Sequence, residues 1–379
     1  MDFALFYEIP QPQPWTKDSP HDAIKGAIDA AVLADKLGYH SFWLTEHHFL
    51  PELSISTAPE VIFANIAAKT ENIRLGHGVR LLPNQYNHPI RVAEMAATLD
   101  HLCDGRLEFG TGRSATRTEL DGFQINPHET RAQQEEALEF IVKAWTEDEI
   151  EWDGKSFSMP QRNVVPKPYQ QPHPPLWQAT ASPEGHTQAG EKGIGLLSFT
   201  VGVEPEVLAE RIALYREGIS RAKPVGKFIN DRVGVFTMVH CETDRKSAQD
   251  TARESFVWYA NISGQLVANF TMWLEELGGG LGSFNYGPYV MVKEMMEAAK
   301  NKAETDADES GWVITLEDLD EKGAVLCGDP DRVIEVAKRY EAAGCEMLMC
   351  LVNPYKIPQD KVMESVELIG KHVLPEFQH

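Results

Sequence analysis

No stretch of the 379-residue chain approaches the roughly 20 consecutive apolar residues that a membrane-spanning helix requires, so no span is predicted. The opening MDFALFYEIPQPQPW has neither the basic start nor the small-residue cleavage site of a secretory signal. The expectation is a cytoplasmic protein. Cysteine is scarce: Cys103, Cys241, Cys327, Cys345 and Cys350 are scattered and form no C-x-x-C pair. That pattern speaks against a cysteine zinc or redox site and suits packing thiols in a reducing compartment. Positive charge is short as well, with 35 Lys and Arg against 57 Asp and Glu and a formal net charge of −22. Binding to a phosphate backbone needs a clustered basic face, so nucleic acid is not an expected partner. An acidic field repels anions, which favours an uncharged organic substrate. Also missing is a G-x-G-x-x-G turn after a strand, the fingerprint of a dinucleotide-binding fold.

What the chain does have is rhythm. Eight short apolar runs, MDFALFY, HSFWLTEHH, NIRLGHGVRLL, GRLEFGTG, PLWQATA, IGLLSFTV, DRVGVFTMVHC and CEMLMCLVNP, alternate with segments of helical spacing such as HPIRVAEMAATLDHLC. Strands that are apolar throughout, rather than alternating, belong to a parallel sheet covered by helices. Eight such units predict an α/β fold, a (β/α)8 TIM barrel, as a single domain over residues 1–379. Two stretches break the rhythm and read as insertions, at about 148–174, rich in Trp, Pro and Gln, and at about 261–311. The second contains LGGGLGSFNYGP and the acidic ETDADES and is a candidate lid.

A barrel of this kind builds its active site where the strands end, at the C-terminal face. The second strand runs out in LTEHHF, placing Glu46, His47 and His48 there. Neighbouring side chains on an extended segment point to opposite faces, so one imidazole must face the barrel mouth. The bland alternative caps the strand with one ring and packs the other under a loop. The third strand end offers Gly76, His77, Gly78 and, before a helix, His88. The fourth reads FGTGRSATRTEL, where glycines and Thr111 precede Arg113, Ser114, Thr116 and Arg117. Backbone N–H groups and a guanidinium together suit a phosphate. At the fifth, Thr180 and Ser182 precede a helix opening at Pro183, another anion-friendly end. A metal-dependent hydrolase using Glu46, His47, His77 and His88 is a competing reading. Adjacent His47 and His48 cannot both reach one ion from an extended strand, and no metal is expected.

In this order EHHF, HGVRLLPNQYNHP, DGRLEFGTGR and ATASPEGHTQAGEKG, with GDPDRVIEVAKRYEAAGCEMLMCLV near the end, resemble the bacterial luciferase-like flavin monooxygenase family. The resemblance implies reduced FMN and O2 as co-reactants, a peroxyflavin as oxidant, and a separate flavin reductase as supplier. It implies that His47 acts near the flavin ring, with His48 its structural neighbour. Gly78 and Val79 fall where the family has a non-proline cis peptide under the ring, and Arg113, Thr180 and Ser182 fall at the flavin phosphate. A homodimer is implied too. Gly112 stands where luciferase has a cysteine, and Ala179 where it has an acid. These departures argue against light emission and leave flavin binding in place. A deazaflavin-dependent dehydrogenase on the same barrel is the competing redox reading. The aromatic and Met-rich stretches FVWYANISG, FTMWLEELGGG and FNYGPYVMVKEMM could line an apolar pocket or pack the core.

Overall fold

A computed structural model of the chain describes residues 1–199, 201–278 and 314–377. In chain order its strands are β1 (Asp2–Tyr7), β2 (Ser41–Leu44), β3 (Arg74–His77), β4 (Arg80–Leu81), β5 (Leu107–Gly112), β6 (Ile150–Asp153), β7 (Ser158–Arg162), β8 (Leu176–Thr180), β9 (Gly195–Ser198), β10 (Val233–Cys241), β11 (Leu326–Gly328) and β12 (Met347–Leu351). The α-helices are α1 (Ser19–Leu37), α2 (Pro59–Ala67), α3 (Pro89–Leu102), α4 (Arg117–Gly122), α5 (Thr130–Thr146), α6 (Pro183–Glu191), α7 (Pro205–Ile219), α8 (Arg245–Glu276), α9 (Leu316–Lys322), α10 (Pro330–Ala342) and α11 (Gln359–Leu368). Eight strands pair in the order β1, β2, β3, β5, β8, β9, β10, β12 and return to β1, every pair parallel. The sheet is closed, as the eight-unit rhythm predicts.

The closed sheet explains why the strands carry no polar alternation. Both of their faces are covered, so all nine residues of β10, VGVFTMVHC, and all five of β12, MLMCL, are buried. Trp43 of β2 and Trp177 of β8 meet in the core edge to face, with ring centroids 5.7 Å apart. Outside the barrel, α10 shows how the helices attach. Asp329 caps its first turn by accepting from the Arg332 N–H at 2.9 Å, and Pro stands at its start. Val333, Val336, Ala337 and Tyr340 then fall on one buried stripe. Burying a valine there contributes about 1.5–3 kcal/mol, so a charge at Val336 would detach the helix. All five cysteines are free and buried, the packing role their spacing predicts.

Three boundaries differ from the sequence reading. The third apolar run is interrupted: β3 stops at His77, the Gly78–Val79 peptide is cis, and β4 resumes at Arg80 to pair with β5. The insertion at about 148–174 contains the antiparallel hairpin β6–β7. That hairpin is fastened to the outside of α5 by the Trp152 indole N–H, which donates to Glu136 Oε1 at 3.1 Å, and by Trp152 against Phe140. The insertion expected from residue 261 instead begins as helix, because α8 runs unbroken to Glu276. Its early turns bury Ala248, Ala252, Phe256 and Tyr259, while its last turns bury Phe270, Trp273 and Leu274 against Leu120 and Ile125. Two different buried surfaces along one helix hide the continuity from a single-stripe pattern. The remainder of that stretch, with most of LGGGLGSFNYGP and ETDADES, lies outside the described residues.

Candidate active site

The ends of β1, β2, β5, β8 and β9, the cis-peptide turn and one face of α8 enclose a cavity of about 280 Å³ at the C-terminal mouth of the barrel. His47, Gly78, Val79, Arg113, Thr180 and Ser182 all stand in its wall, although they come from four different strand ends. The α8 contribution is Tyr259, Ser263, Leu266, Val267 and Phe270, spaced as one helical face. No residue of the 148–174 stretch reaches this wall, so that insertion does not shape the cavity among the described residues.

At the β2 end the strand itself stops at Leu44, and residues 45–48 continue outward from it. His47 turns into the cavity, whereas His48 turns away, stacks on Tyr86 with centroids 5.8 Å apart and meets Phe123 edge-on at 4.9 Å. The His47 ring is held by Glu119, whose Oε1 lies 3.0 Å from Nδ1. Glu119 is 1% exposed and also accepts from the His48 backbone N–H at 2.9 Å, the Ser114 hydroxyl at 2.8 Å and the Thr116 hydroxyl at 2.7 Å. Burial pushes the Glu119 carboxyl up, but the His47 charge and these hydrogen bonds outweigh it and hold the group down at about 2. Burial likewise pushes His47 down, and Glu119, with Glu8 and Glu46 behind it, pulls it above its ordinary value. The result is an imidazole more basic than usual, tied at Nδ1 to Glu119 on the cavity wall.

Glu46, adjacent in sequence, has a different task. Its Oε2 accepts from the Leu81 N–H at 2.9 Å, its Oε1 accepts from the Asn87 amide at 2.8 Å, and Arg80 stands 3.5 Å away. It fastens the chain beyond the cis peptide to the β2 end. That fixes where Val79 sits in the cavity wall.

The opposite end of the cavity is polar and cationic. Ser182 caps α6, accepting from the Gly185 N–H at 3.1 Å, and Thr180 stands beside it. Gly185 is what lets the two hydroxyls converge: a Cβ there would lie 1.9 Å from Thr180 Oγ1. Arg113 donates to Thr130 Oγ1 at 3.0 Å, while Arg131 and Lys192, not singled out by the sequence reading, line the same side paired with Glu184 at 3.4 Å and Glu135 at 2.8 Å. Between the two ends, Phe6, Val79, Leu81 and Phe199 give an apolar floor. Gly112 lies under Val79, and a Cβ at 112 would come within 2.3 Å of Val79 Cγ2. A cysteine in that position has no room beside this valine.

Several sequence candidates are not brought to the site. His77 is buried between Phe63 and Phe109, and burial pushes it down to about 3. His88 caps α3 and meets Phe157. Arg117 lies over Trp273 and reaches Glu276 at 3.5 Å, at the surface. The four residues weighed for a metal hydrolase are therefore dispersed, and no group of three or more His, Cys, Asp or Glu converges for a metal among the described residues. Conversely, Glu119 and Glu8 were not singled out. Glu119 has a signal, Thr116 followed three residues later by an acid, the pattern of a capping box. Thr116 does cap α4, but the acid is diverted to His47. Glu8 is an acid just past the end of β1, the same kind of signal that pointed to Glu46.

Residues 1–347 match the family described as luciferase-like monooxygenase. Over 360 residues, 92% of this chain and 86% of the relative, the sequence is 32% identical to 4-hydroxyprotoasukamycin monooxygenase of Streptomyces nodosus subsp. asukaensis. It is 35% identical over 185 residues to the uncharacterized protein y4wF of Sinorhizobium fredii, and that match spans about half of each chain, 49% and 52%. Among solved structures, the oxygenating constituent of 3,6-diketocamphane monooxygenase from Pseudomonas putida, in complex with FMN, superposes with a TM-score of 0.68 at 21% identity, covering 99% of this chain and 98% of that one. An F420-dependent secondary alcohol dehydrogenase superposes with a TM-score of 0.70 at 17% identity, covering 100% and 99%. At these identities the structural likeness is one of fold. The sequence match across nearly the whole chain places the protein in the luciferase-like monooxygenase family.

Proposed function

We propose that the protein is the oxygenase component of a two-component FMN-dependent monooxygenase, which takes reduced FMN from a separate reductase and uses O2 to oxygenate a small, largely apolar organic molecule. The observation that carries this reading is one cavity with the hydrogen-bonded His47–Glu119 pair at one end and Arg113 with a hydroxyl-rich helix start at the other, with an apolar floor between. That donor set fits a flat aromatic ring with a phosphate tail. Arg113, the Thr180 and Ser182 hydroxyls and the positive end of α6 would hold the phosphate. Gly78 and Val79 would pack against the ring, and the α8 face would exclude water from it. Reduced FMN, when bound, supplies the electrons that activate O2. His47 supplies the proton, because Glu119 makes its ring more basic than usual and the ring lines the same space. The reading includes a homodimer in the cytoplasm.

The test is a titration of the purified protein with FMN and, separately, with a deazaflavin cofactor, read by absorbance. Reduced FMN is then regenerated by an added reductase in the presence of O2 and a panel of apolar ketones, alkenes and phenols. Uptake of FMN and an oxygenated product support the proposal. Uptake of the deazaflavin alone, with hydride transfer and no consumption of O2, would replace it with the dehydrogenase reading. Light scattering at micromolar concentration checks the dimer.

A further inference from the structure

Glu8 is a buried carboxyl in the cavity wall that the reading above leaves without a task. It is 1% exposed, and its main chain is pinned on both sides by Asn353, which accepts from the Glu8 N–H at 3.3 Å and donates to the Glu8 carbonyl at 2.5 Å. The direction of its side chain is therefore set by the barrel. Oε1 accepts from the Tyr259 hydroxyl at 3.0 Å, while Oε2, shielded from bulk solvent, has no hydrogen-bond partner among the described residues. The surroundings are aromatic: Phe6 and Phe199 pack on Phe236, which packs on Tyr259. An unpaired oxygen in such a place is costly unless something arrives to pair it.

The protonation state decides what that something is. Burial pushes Glu8 up to about 7, against the His47 charge and the Tyr259 hydrogen bond, so the neutral acid is populated near neutrality. With Oε1 already accepting from Tyr259, the acid's own hydrogen belongs on Oε2. Oε2 is then a buried donor without a protein acceptor among the described residues, on a side chain that lines a largely apolar cavity and stands close enough to His47 for the two groups to feel each other's charge.

We propose that Glu8 is a substrate-recognition residue: its Oε2 donates a hydrogen bond to a carbonyl or hydroxyl oxygen of an otherwise apolar substrate, and so fixes which end of that molecule lies next to His47. The inference rests on the monooxygenase reading and narrows its substrate class from apolar molecules in general to those with one hydrogen-bond-accepting oxygen. Glu8 donates only; no covalent bond to it forms or breaks. Tyr259 acts by holding Oε1, so that the donor is always the other oxygen.

The test needs no turnover. Wild-type protein saturated with FMN is titrated by calorimetry with matched probe pairs that share a skeleton but differ by one oxygen, camphor against camphane and 2-decanone against decane. The same titrations are made on Glu8→Gln, which keeps a neutral donor of similar shape, and on Glu8→Leu and Glu8→Met, two apolar variants of which one that folds suffices. Thermal melts and FMN titrations accompany each. The expected result is a preference of about tenfold for the oxygen-bearing member of at least one pair, kept by Glu8→Gln and lost in the apolar variants, with FMN affinity unchanged throughout. No preference in the wild type for either pair, or a preference that survives in a folded apolar variant, overturns the proposal. A chain that takes up no FMN counts against the function reading instead, and the titrations are then run on the flavin-free protein.

Discussion

Replacing Glu119 by glutamine isolates the electrostatics of the site from its shape. Four donors converge on the carboxylate, from His47, His48, Ser114 and Thr116. Glutamine keeps one oxygen for His47 and the His48 N–H, and the two hydroxyls can turn to accept from its NH2 group. What is lost is the charge. Glu119 is held at about 2 against an ordinary value of 4.5, which corresponds to a ceiling of about 3 kcal/mol for the charge's interactions in the fold. The expected destabilisation is therefore about 2–3 kcal/mol near neutral pH. The sign with pH follows from both partners. A depressed carboxylate contributes stability that is present above about 4.5 and drains away as pH falls through the folded value near 2. The raised imidazole contributes stability that is present below its ordinary 6.5 and is lost as pH rises through its higher folded value. Urea unfolding of wild type and Glu119→Gln at a series of pH values should show a gap that is widest between these limits and narrows on either side. The alkaline limb of product formation should also move to lower pH in the variant, because His47 gives up its proton more easily. A gap that is constant across pH, or a variant with the wild-type pH profile, would refute the assignment of Glu119 as the group that charges His47.

Other perturbations separate the two ends of the cavity from its surroundings. Arg113→Ala should weaken FMN binding by more than about 1.5 kcal/mol through loss of a charge-assisted contact to phosphate, read by absorbance titration; equal affinity would remove Arg113 from the phosphate site. His48→Asn should cost about 1–2 kcal/mol of stability, because the ring packed on Tyr86 and Phe123 is lost, and should leave product formation within about threefold, read by thermal melts and turnover. Gly112→Ala should displace Val79 and weaken FMN binding about tenfold or more, since its Cβ would meet Val79 Cγ2 at 2.3 Å.

The barrel was legible because a parallel sheet covered on both faces writes itself as uninterrupted apolar runs, and the strand ends were legible because the mouth of such a barrel is where polar residues can stand. Alternation says only that His47 and His48 turn to opposite sides, and they do; that His47 is the inward one follows from the resemblance. Glu119 was hidden because its partner is 72 residues away and its local context offers a sufficient explanation as a helix cap. Glu8 was hidden for a simpler reason: it is a lone acid one residue past β1, with no neighbouring polar residue to mark it as part of a site. The extent of α8 was misread because its buried face changes from the barrel to the Leu120 cluster along its length. The first insertion breaks the strand–helix rhythm, and its hairpin spends its Trp152 on α5, outside the cavity.

The most direct test is His47→Asn. Asparagine fits the same chain segment and keeps polarity, so the protein should fold and hold FMN as the wild type does. With a regenerated supply of reduced FMN, O2 and the best substrate from the screen, oxygenated product should fall by about 10² to 10⁴, the usual worth of one general acid or base, while reduced flavin is still consumed and hydrogen peroxide accumulates in place of product. Undiminished product from a His47→Asn protein that is folded and flavin-loaded would contradict the account.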